Sequence, residues 1–244
     1  GVVADRYGDV VVLQLLTCAM DQRKDLIVSV LAALPGVRHV VGRNDASVRT
    51  AEGLPLETGM WHGEDPGERE VDLRGVRFFV NFLQGQKTGL YLDQAENYAL
   101  VAAQARGRRV LDCFSNQGGF AIACALAGAA DVTAVESGAE SAARLRDNAS
   151  RNGVEVGVAE EDVFSFLNTA DRRNEKYDLV ILDPPSFTRA RSKVHDALRG
   201  YRDLHLRGAG VLSAQGVLAT FSCSHHVSAG DFETAAAAGL ADAR

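Results

Sequence analysis

A regular alternation of strand and helix patterns from residue 85 onward is the feature that most constrains how this chain can fold. Short apolar runs are typical of buried strands, and the amphipathic or alanine-rich segments between them are typical of helices. This alternation predicts an α/β domain with an open, mainly parallel sheet and helices on both faces. We expect strands at 109–113, 131–135, 154–159, 177–182 and 216–222, and helices at 94–105, 118–127, 139–151, 162–169, 196–212 and 229–240.

Residues 1–84 show a different pattern, which predicts a small α+β domain ahead of the domain at 85–244. We expect a hairpin at 1–17, a helix ending at Pro35-Gly36 and a strand at 37–41. The segment 44–70 is polar and rich in Gly and Pro, which indicates a long loop. A second hairpin is expected at 70–83. The sequence of this domain contains no motif that indicates a specific reaction, and we consider RNA or substrate binding as its role.

Composition sets limits on partners and location. The chain has 244 residues, 46% of them hydrophobic, and a net charge of −6, so any nucleic acid must be held by a local basic patch. The four cysteines form no C-x-x-C pair, which favours a reducing compartment, the cytoplasm, and no metal site. No apolar run approaches 18 residues, so we expect no membrane span. The chain begins with Gly1 rather than Met, and we interpret it as a fragment, truncated at its carboxyl end as well.

The strand, turn and helix between Arg109 and Phe120 predict a ligand site. A short apolar strand ends at Asp112, and Gly118 and Gly119 open the next helix. Glycines in such a turn let the backbone approach a nucleoside closely, and the helix start offers free N–H groups. The spacing is not G-x-G-x-x-G, which disfavours a nicotinamide cofactor, and a glycine pair of this kind also occurs in ordinary turns.

Polar residues follow the other predicted strands, where open parallel sheets bind their ligands. Glu136 follows the second strand and is either a ribose ligand or a solvated strand end. Asp162 follows the third strand and is a candidate for ligand binding, for a helix N-cap, or for both. The fourth strand ends at Asp183, and the fifth runs into Ser222-Cys223-Ser224. Cys223 is either a nucleophile or a buried core thiol.

The Asp183-Pro184-Pro185 segment indicates base recognition. Two prolines stiffen the chain, so that Asp183 faces the cleft, and Phe187 could stack on a flipped base. The alternative is a rigid strand exit without further function. Six basic residues follow and suit RNA phosphates, although a solvated helix face explains the last three as well: Arg189, Arg191, Lys193, Arg199, Arg202 and Arg207.

These motifs resemble the class I S-adenosylmethionine-dependent methyltransferases, with a Rossmann-like fold. The matching residues are the run from Asp112 to Phe120, Glu136, the Asp-Pro-Pro segment and Phe221 to Ser224. More narrowly, they are similar to the bacterial family that makes 5-methylcytosine in large-subunit (23S) ribosomal RNA. The stretch from Gly85 to Gln94 resembles that family's signature before the first core strand. Family members usually carry a PUA-type RNA-binding domain ahead of the α+β domain and two more strands after the last helix; this sequence shows neither.

The resemblance implies a role for each matching position. S-adenosylmethionine would be the cofactor, ribosomal RNA the partner, Cys223 the nucleophile that attacks carbon 6 of cytosine, and Asp183 the residue that holds the base. The residues implied around the cofactor are Asp112, Phe114, Ser115, Gly118, Gly119, Glu136, Asp162, Asp183, Lys87, Thr88, Asp93 and Gln94. Those implied at the RNA are Pro184, Pro185, Phe187, Arg189, Arg191 and Lys193.

Two other functions stay open at this point. A guanine N-methyltransferase shares the fold and an Asp-Pro-Pro loop but needs no thiol at Cys223. An RNA-binding or ribosome-assembly factor would retain only a vestigial cofactor site. Another class of 5-methylcytosine enzymes has a second cysteine directly after the Pro-Pro pair, where this chain has Ser186, so the base that takes the carbon-5 proton is open too. The identity of the target nucleotide and the formation of a homodimer are open as well.

Overall fold

The protein is described by a computed structural model that covers residues 1–84, 89–188 and 190–243. Contacts divide the chain into two compact units, one of residues 1–73 and 77–93 and the other of residues 74–76 and 94–244. The main division therefore falls after Asp93, whereas the sequence pattern changes near residue 85. The two units are described separately below.

The first unit contains a four-stranded sheet covered by helices. Its strands are β1 (Val2–Tyr7), β2 (Val10–Leu15), β3 (His39–Asn44) and β4 (Glu57–His62), in the order β1-β2-β3-β4. The pair β2/β3 is parallel and the other two pairs are antiparallel, which confirms the hairpin expected at 1–17. Helices α1 (Cys18–Asp21) and α2 (Lys24–Ala32) follow β2. Ile27 and Leu31 of α2 pack on Leu13, Leu15 and Val40 of the sheet.

The expectation of a long loop at 44–70 is wrong. This segment contains the short helix α3 (Val48–Ala51) and the strand β4. Tertiary contacts override its polar composition, because the Trp61 side chain covers Gly42 so closely that a side chain there would collide with the ring. Arg49 of α3 is fully buried, and its guanidinium donates hydrogen bonds to the carbonyl oxygens of Leu15 and Pro55.

The expected second hairpin is present as β5 (Glu68–Leu73) and β6 (Val76–Asn81), which form a two-stranded sheet. Arg74 and Gly75 between them both have positive φ angles, 56° and 90°. A two-residue turn with left-handed conformation at both positions matches the right-handed twist of the flanking strands. The hairpin expected at 70–83 is therefore confirmed.

The second unit is the α/β domain predicted from the alternation. Its strands form a five-stranded sheet in which every pair is parallel. They are β7 (Arg109–Cys113), β8 (Asp131–Val135), β9 (Gly157–Ala159), β10 (Tyr177–Leu182) and β11 (Leu212–Thr220). The helices are α4 (Ala95–Ala102), α5 (Gly119–Leu126), α6 (Ala139–Arg151), α7 (Val163–Arg172), α8 (Val194–Gly210) and α9 (Ala229–Asp242), with 3-10 turns at Leu92–Gln94 and Arg191–Lys193.

The strand order is β11-β10-β7-β8-β9, so the chain reverses direction across the sheet between β7 and β10. In open parallel sheets, ligands bind outside the carboxyl ends of the strands at this switch point. The register pairs Ile181 with Asp112 and Leu182 with Cys113. The residues that follow β7 and β10 therefore leave the sheet side by side.

One hydrophobic core of the second unit lies between the sheet and helices α7 and α8. Buried residues of the strands, such as Leu111 and Val180, pack with Leu167 of α7 and Leu204 of α8. None of the helices described is both long enough and apolar enough to span a membrane. Within the same ranges, no group of His, Cys, Asp and Glu is placed to hold a metal ion.

Candidate functional site

Asp112 lies at the switch point, and burial changes its ionisation. The side chain is only 1% exposed, and its Oδ2 atom accepts hydrogen bonds from the Ser115 hydroxyl at 2.5 Å and the Ala121 N–H at 3.0 Å. Burial raises the pKa of Asp112 to about 7, an effect that the bond from Ser115 opposes and the negative charges of Asp183 and Glu136 add to. Its Oδ1 atom is buried without a hydrogen-bond partner among the described residues. This Oδ1 atom can therefore accept a hydrogen bond from a ligand that carries a cationic or neutral donor group.

The loop after β7 contains backbone conformations that are unfavourable for non-glycine residues and that contacts with the surrounding residues must stabilise. Phe114 and Asn116 have φ angles of 62° and 49°, in the left-handed region that non-glycine residues rarely adopt. Gly118, at the N-cap of α5, has a φ of 89°, and an added Cβ would lie 2.8 Å from Cγ of Leu145. A side chain at Gly119 would collide with the Tyr98 ring. Both glycines predicted to face a cofactor are therefore also required by the protein's own packing.

Glu136, which follows β8, holds this loop. Its Oε2 atom accepts a hydrogen bond from the Asn116 N–H at 2.9 Å, and its Oε1 atom accepts one from the Gly138 N–H at 2.7 Å. A carboxylate oxygen can accept more than one hydrogen bond, so these contacts leave acceptor capacity for ribose hydroxyls. The role at the ribose stays a prediction.

Asp162 caps α7. Its Oδ1 atom accepts a hydrogen bond from the Ser165 N–H at 2.9 Å, which satisfies one of the free donors in the first turn of that helix. The side chain is exposed. The N-cap role considered from the sequence is confirmed, and contact with the cofactor stays a prediction.

Asp183, directly after β10, is oriented by residues of α4 and the turn before it. Its Oδ2 atom accepts a hydrogen bond from Nε2 of Gln94 at 3.2 Å. Gln94 is fixed in that orientation because its amide oxygen accepts from the Asn97 side chain at 2.7 Å. Asp93, also expected near the cofactor, is exposed in the 3-10 turn that contains Gln94.

The Pro-Pro segment turns away from the sheet after Asp183. Pro184 is buried and Pro185 is exposed. The Phe187 ring packs against Tyr201 of α8, with 4.6 Å between ring centroids and an interplanar angle of 35°. Stacking of Phe187 on a flipped base stays a prediction, since part of the ring is already in contact with α8.

Cys223 differs from the two cysteines in the core of this unit. Cys113 and Cys124 are fully buried, and burial raises the pKa of both thiols, that of Cys124 to about 12. Cys223 is exposed, and its Sγ atom lies 3.7 Å from the carbonyl oxygen of Pro184. The thiol after β11 therefore lies beside the Asp-Pro-Pro loop after β10.

A buried tyrosine connects the serines on both sides of Cys223. The Tyr201 hydroxyl lies 2.8 Å from Oγ of Ser222 and 2.9 Å from Oγ of Ser224. Ser224 in turn accepts a hydrogen bond from the Phe187 N–H at 3.1 Å. The loops after β10 and β11 are thus joined by hydroxyl groups.

Comparison with known proteins agrees with this geometry. The family model for S-adenosylmethionine-dependent methyltransferases matches residues 26–238. The chain belongs to this family. A ribosomal RNA large subunit methyltransferase I from Shigella boydii is 35% identical over 92% of this chain and 58% of its own length, and one from Aeromonas salmonicida is 36% identical over the same shares. The chain therefore spans less than two thirds of the curated relatives it matches.

Solved structures give the same family. A SAM-dependent methyltransferase from Streptococcus mutans superposes with a TM-score of 0.84 at 26% identity, covering 98% of this chain and 62% of that one. A methyltransferase complexed with SAH superposes with a TM-score of 0.83, at the same identity and coverage. In this methyltransferase family member, the α/β architecture predicted from the sequence is confirmed.

The basic cluster expected beside the base pocket is only partly available in this family member. Three of its arginines form ion pairs: Arg199 with Asp196, Arg202 with Asp242 and Arg207 with Asp203. These three fit the alternative of a solvated helix face. Arg191 and Lys193 are exposed in the 3-10 turn before α8. Three residues of the predicted site, Lys87, Thr88 and Arg189, lie outside the described residues.

Sequence reasoning missed several residues that shape the site of this methyltransferase. They are Tyr201, Asn97 and Asn148. Tyr201 and Asn148 are remote in sequence from the motifs they support, whereas Asn97 lies three positions after Gln94, the residue that it orients. Asn148 of α6 is fully buried and donates a hydrogen bond to the carbonyl oxygen of Gln117 in the loop after β7. An Asn inside a predicted amphipathic helix was the available signal, because buried polar side chains almost always have a partner to hold.

A cavity of about 630 Å³ in the same unit is not part of this site. Its lining includes Lys176 and Leu212, which lie at the start of β10 and β11. The site residues follow the carboxyl ends of these strands, so the cavity lies at the opposite edge of the sheet.

Proposed function

We propose that the protein uses S-adenosylmethionine to methylate carbon 5 of a cytosine in large-subunit ribosomal RNA. The observation that carries this proposal is the exposed Cys223 thiol beside the Asp-Pro-Pro loop, with Sγ 3.7 Å from the Pro184 carbonyl. Relatives 35% and 36% identical carry the name ribosomal RNA large subunit methyltransferase I, which supports ribosomal RNA as the substrate.

The chemistry of the loop after β7 fits the cofactor. S-adenosylmethionine has an ammonium group, and the buried Oδ1 atom of Asp112 is an acceptor without a described partner. Gly118 and Gly119 add no side chain of their own between the backbone at the start of α5 and a ligand beside it. Glu136 would accept from ribose hydroxyls with the acceptor capacity that its two backbone hydrogen bonds leave. The structure of a relative at 26% identity contains SAH, the cofactor without its methyl group.

Cytosine needs activation by the protein, because its carbon 5 is a poor nucleophile. When bound, the cofactor supplies an electrophilic methyl group on a sulfonium sulfur. The Cys223 thiolate adds to carbon 6, and the electrons of the former double bond make carbon 5 able to take that methyl group. Loss of the carbon-5 proton then restores the double bond and expels the thiolate. The thiolate is the reactive form of a cysteine, and an unperturbed cysteine thiol with a pKa near 8.5 is ionised to roughly 3% at neutral pH.

Asp183 would hold the base during this addition. One of its carboxyl oxygens would accept from the exocyclic amino group of cytosine, and a proton on the other would be donated to ring nitrogen 3, where negative charge develops during the addition. Gln94 and Asn97 fix the orientation of this carboxylate through their hydrogen bonds. The target base must leave its stack first, at a cost of a few kcal/mol.

The small first unit, residues 1–84 in the sequence-based division, is proposed to contribute to RNA or substrate binding. The proposed location is the cytoplasm, where ribosomal RNA is assembled into subunits. A homodimer stays a prediction that sedimentation velocity tests.

The decisive experiment is methyl transfer from labelled S-adenosylmethionine to unmodified bacterial ribosomal RNA, with the product nucleoside identified. Cys223→Ala should abolish the formation of 5-methylcytosine. Cys18→Ala removes another thiol that is not fully buried, in the first unit, and is the matched control that should keep activity. Methylguanine as the product, or an active Cys223→Ala variant, would show that the carbon-5 mechanism is wrong.

A further inference from the structure

We propose that Tyr201 is a positioning residue that aligns the Cys223 thiol with the base held at Asp183. This inference rests on the proposed function, because it assigns how the nucleophile of that reaction is held in place. Tyr201 lies in α8 and is fully buried, so it does not itself meet the RNA.

The first support is the double contact of the Tyr201 hydroxyl. It lies 2.8 Å from Oγ of Ser222 and 2.9 Å from Oγ of Ser224, the residues immediately before and after Cys223. A hydroxyl has one hydrogen to donate and two lone pairs to accept with, so one phenol can satisfy both serines at once. The peptide that carries the thiol is therefore fixed on both sides by a single atom.

The second support is the link from this peptide to the loop after β10. Ser224 is 4% exposed, and its Oγ atom accepts from the Phe187 N–H at 3.1 Å and lies 3.3 Å from Oγ of Ser186. The Ser186 hydroxyl donates to the Thr188 carbonyl at 2.7 Å, so it is an acceptor toward Ser224. The same hydroxyl network thus connects the loop of the proposed nucleophile to the loop that carries Asp183.

The third support is the rigidity of the anchor. The Tyr201 ring packs between Phe187 and Phe232, at centroid distances of 4.6 and 5.0 Å. The buried His205 ring lies one turn further along α8, and its Nδ1 atom donates to the Tyr201 carbonyl at 2.6 Å. Its Nε2 atom lies 2.9 Å from Oγ1 of Thr220, which is the last residue of β11. Because a carbonyl oxygen only accepts, Nδ1 carries the hydrogen, and Nε2 accepts from Thr220 in the neutral ring. The strand and the loop after it are therefore both tied to α8.

This arrangement matters because covalent addition requires close alignment of the two reacting groups. A misplacement of about 1 Å can lower a rate on the order of 100-fold. Cys223 is exposed and follows the end of its strand, so little core packing holds it. Hydrogen bonds from the buried Tyr201 supply the alignment that core packing does not.

The test compares Tyr201→Phe with Tyr177→Phe, since both remove one hydroxyl from a buried tyrosine of the same unit. Tyr177 begins β10, at the edge of the sheet away from the site. We expect Tyr201→Phe to lower kcat about tenfold or more, to leave KM for RNA and for S-adenosylmethionine within about twofold, and to unfold at a temperature close to that of Tyr177→Phe. RNA containing 5-fluorocytosine should form a trapped covalent adduct more slowly by the same factor, because fluorine cannot leave as the proton does.

Ser224→Ala is the second variant, because it breaks the bridge between the loops without opening the core. It should lower kcat in the same way. The positioning role is overturned if Ser224→Ala, or a folded Tyr201→Phe, has the same kcat as Tyr177→Phe. In that case the proposed function still stands. If the parent protein forms methylguanine instead of 5-methylcytosine, the proposed function fails and the positioning role with it.

Discussion

The side chain of Glu136 accepts a hydrogen bond from the backbone N–H of Asn116 at 2.9 Å. An acidic residue after β8 thus holds the loop after β7 in a left-handed conformation, with φ of 49° at Asn116. A residue expected to face the cofactor ribose is at the same time a support for the loop that carries other residues expected around the cofactor. Changes at Glu136 should therefore affect cofactor affinity through two routes.

Glu136→Gln tests this double role. A glutamine has one acceptor oxygen, and its NH2 group would face one of the two backbone N–H groups that the carboxylate now accepts from. We expect affinity for S-adenosylmethionine, measured by isothermal titration calorimetry, to fall at least about tenfold, which is 1.4 kcal/mol. Glu140→Gln, an exposed change in the first turn of α6, is the control and should keep the parent's affinity. Equal affinities for the two variants would remove Glu136 from the cofactor site.

Gly118→Ala separates backbone strain from damage to the site, because Gly128 offers a matched control. The two glycines have nearly equal φ angles, 89° and 87°, but an added Cβ at Gly128 meets nothing within 4 Å, whereas at Gly118 it meets Leu145 at 2.8 Å. Each alanine variant should lose about 1 kcal/mol of stability from strain in the left-handed region. Only Gly118→Ala should also lose cofactor binding. Calorimetry that finds equal affinity in both variants would contradict a close approach of cofactor at Gly118.

The sequence predicted the α/β unit well because each strand and helix there follows its local pattern. Asp112, Asp183 and Cys223 could be placed at one edge of the sheet because parallel strands all end on the same side. In the first unit, composition misled at 44–70, since β4 is held by pairing with β3 and by Trp61 covering Gly42, which are contacts between distant residues. Local composition carries no information about such partners.

The supporting residues of the site could not be predicted for a related reason. Tyr201 is separated from Ser222 by 21 positions and Asn148 from Gln117 by 31, and helix periodicity explains each of them as ordinary core. The ion pair of Arg202 with Asp242, 40 positions away, could not be predicted either, whereas Asp203, four positions before Arg207, was a readable sign of a solvated helix face. Motifs indicate which atoms face a ligand, but only the fold indicates which residues hold them.

The ion pairs lead to a prediction on RNA binding. Arg191→Ala combined with Lys193→Ala should weaken RNA binding and reduce the slope of log affinity against log salt by about 1 to 2, because exposed cations release counterions from phosphates. Arg199→Ala combined with Arg202→Ala removes the same charge, but from arginines already paired with Asp196 and Asp242. This control should retain most of the affinity. The measurement is filter binding at salt concentrations from about 50 to about 200 mM. A larger loss of RNA affinity in the control than in the test variant would contradict the prediction.

Asp112 should make the stability of the protein depend on pH in a direction opposite to that of most carboxylates. Burial raises its pKa from 3.8 to about 7, so between these values the folded state holds a proton that the unfolded state has released. The fold must therefore lose stability as pH rises from about 4 to 7, by up to about 4 kcal/mol at roughly 1.4 kcal/mol per pKa unit. Asp112→Asn should remove this loss, since its amide oxygen can still accept from Ser115 and Ala121.

Urea unfolding at pH 5 and pH 8, in the parent and in Asp112→Asn, measures the part of this loss that falls between pH 5 and the folded pKa of about 7, which is about 3 kcal/mol. Asp25→Asn, an exposed change in the first unit, should follow the parent at both values. The same carboxylate predicts that affinity for the cationic cofactor rises between pH 6 and 8, as Asp112 becomes ionised beside a positive charge, and that Asp112→Asn loses this rise. A parent and variant with parallel unfolding and binding curves would mean that Asp112 keeps an ordinary pKa, and that its buried oxygen has a partner in solution.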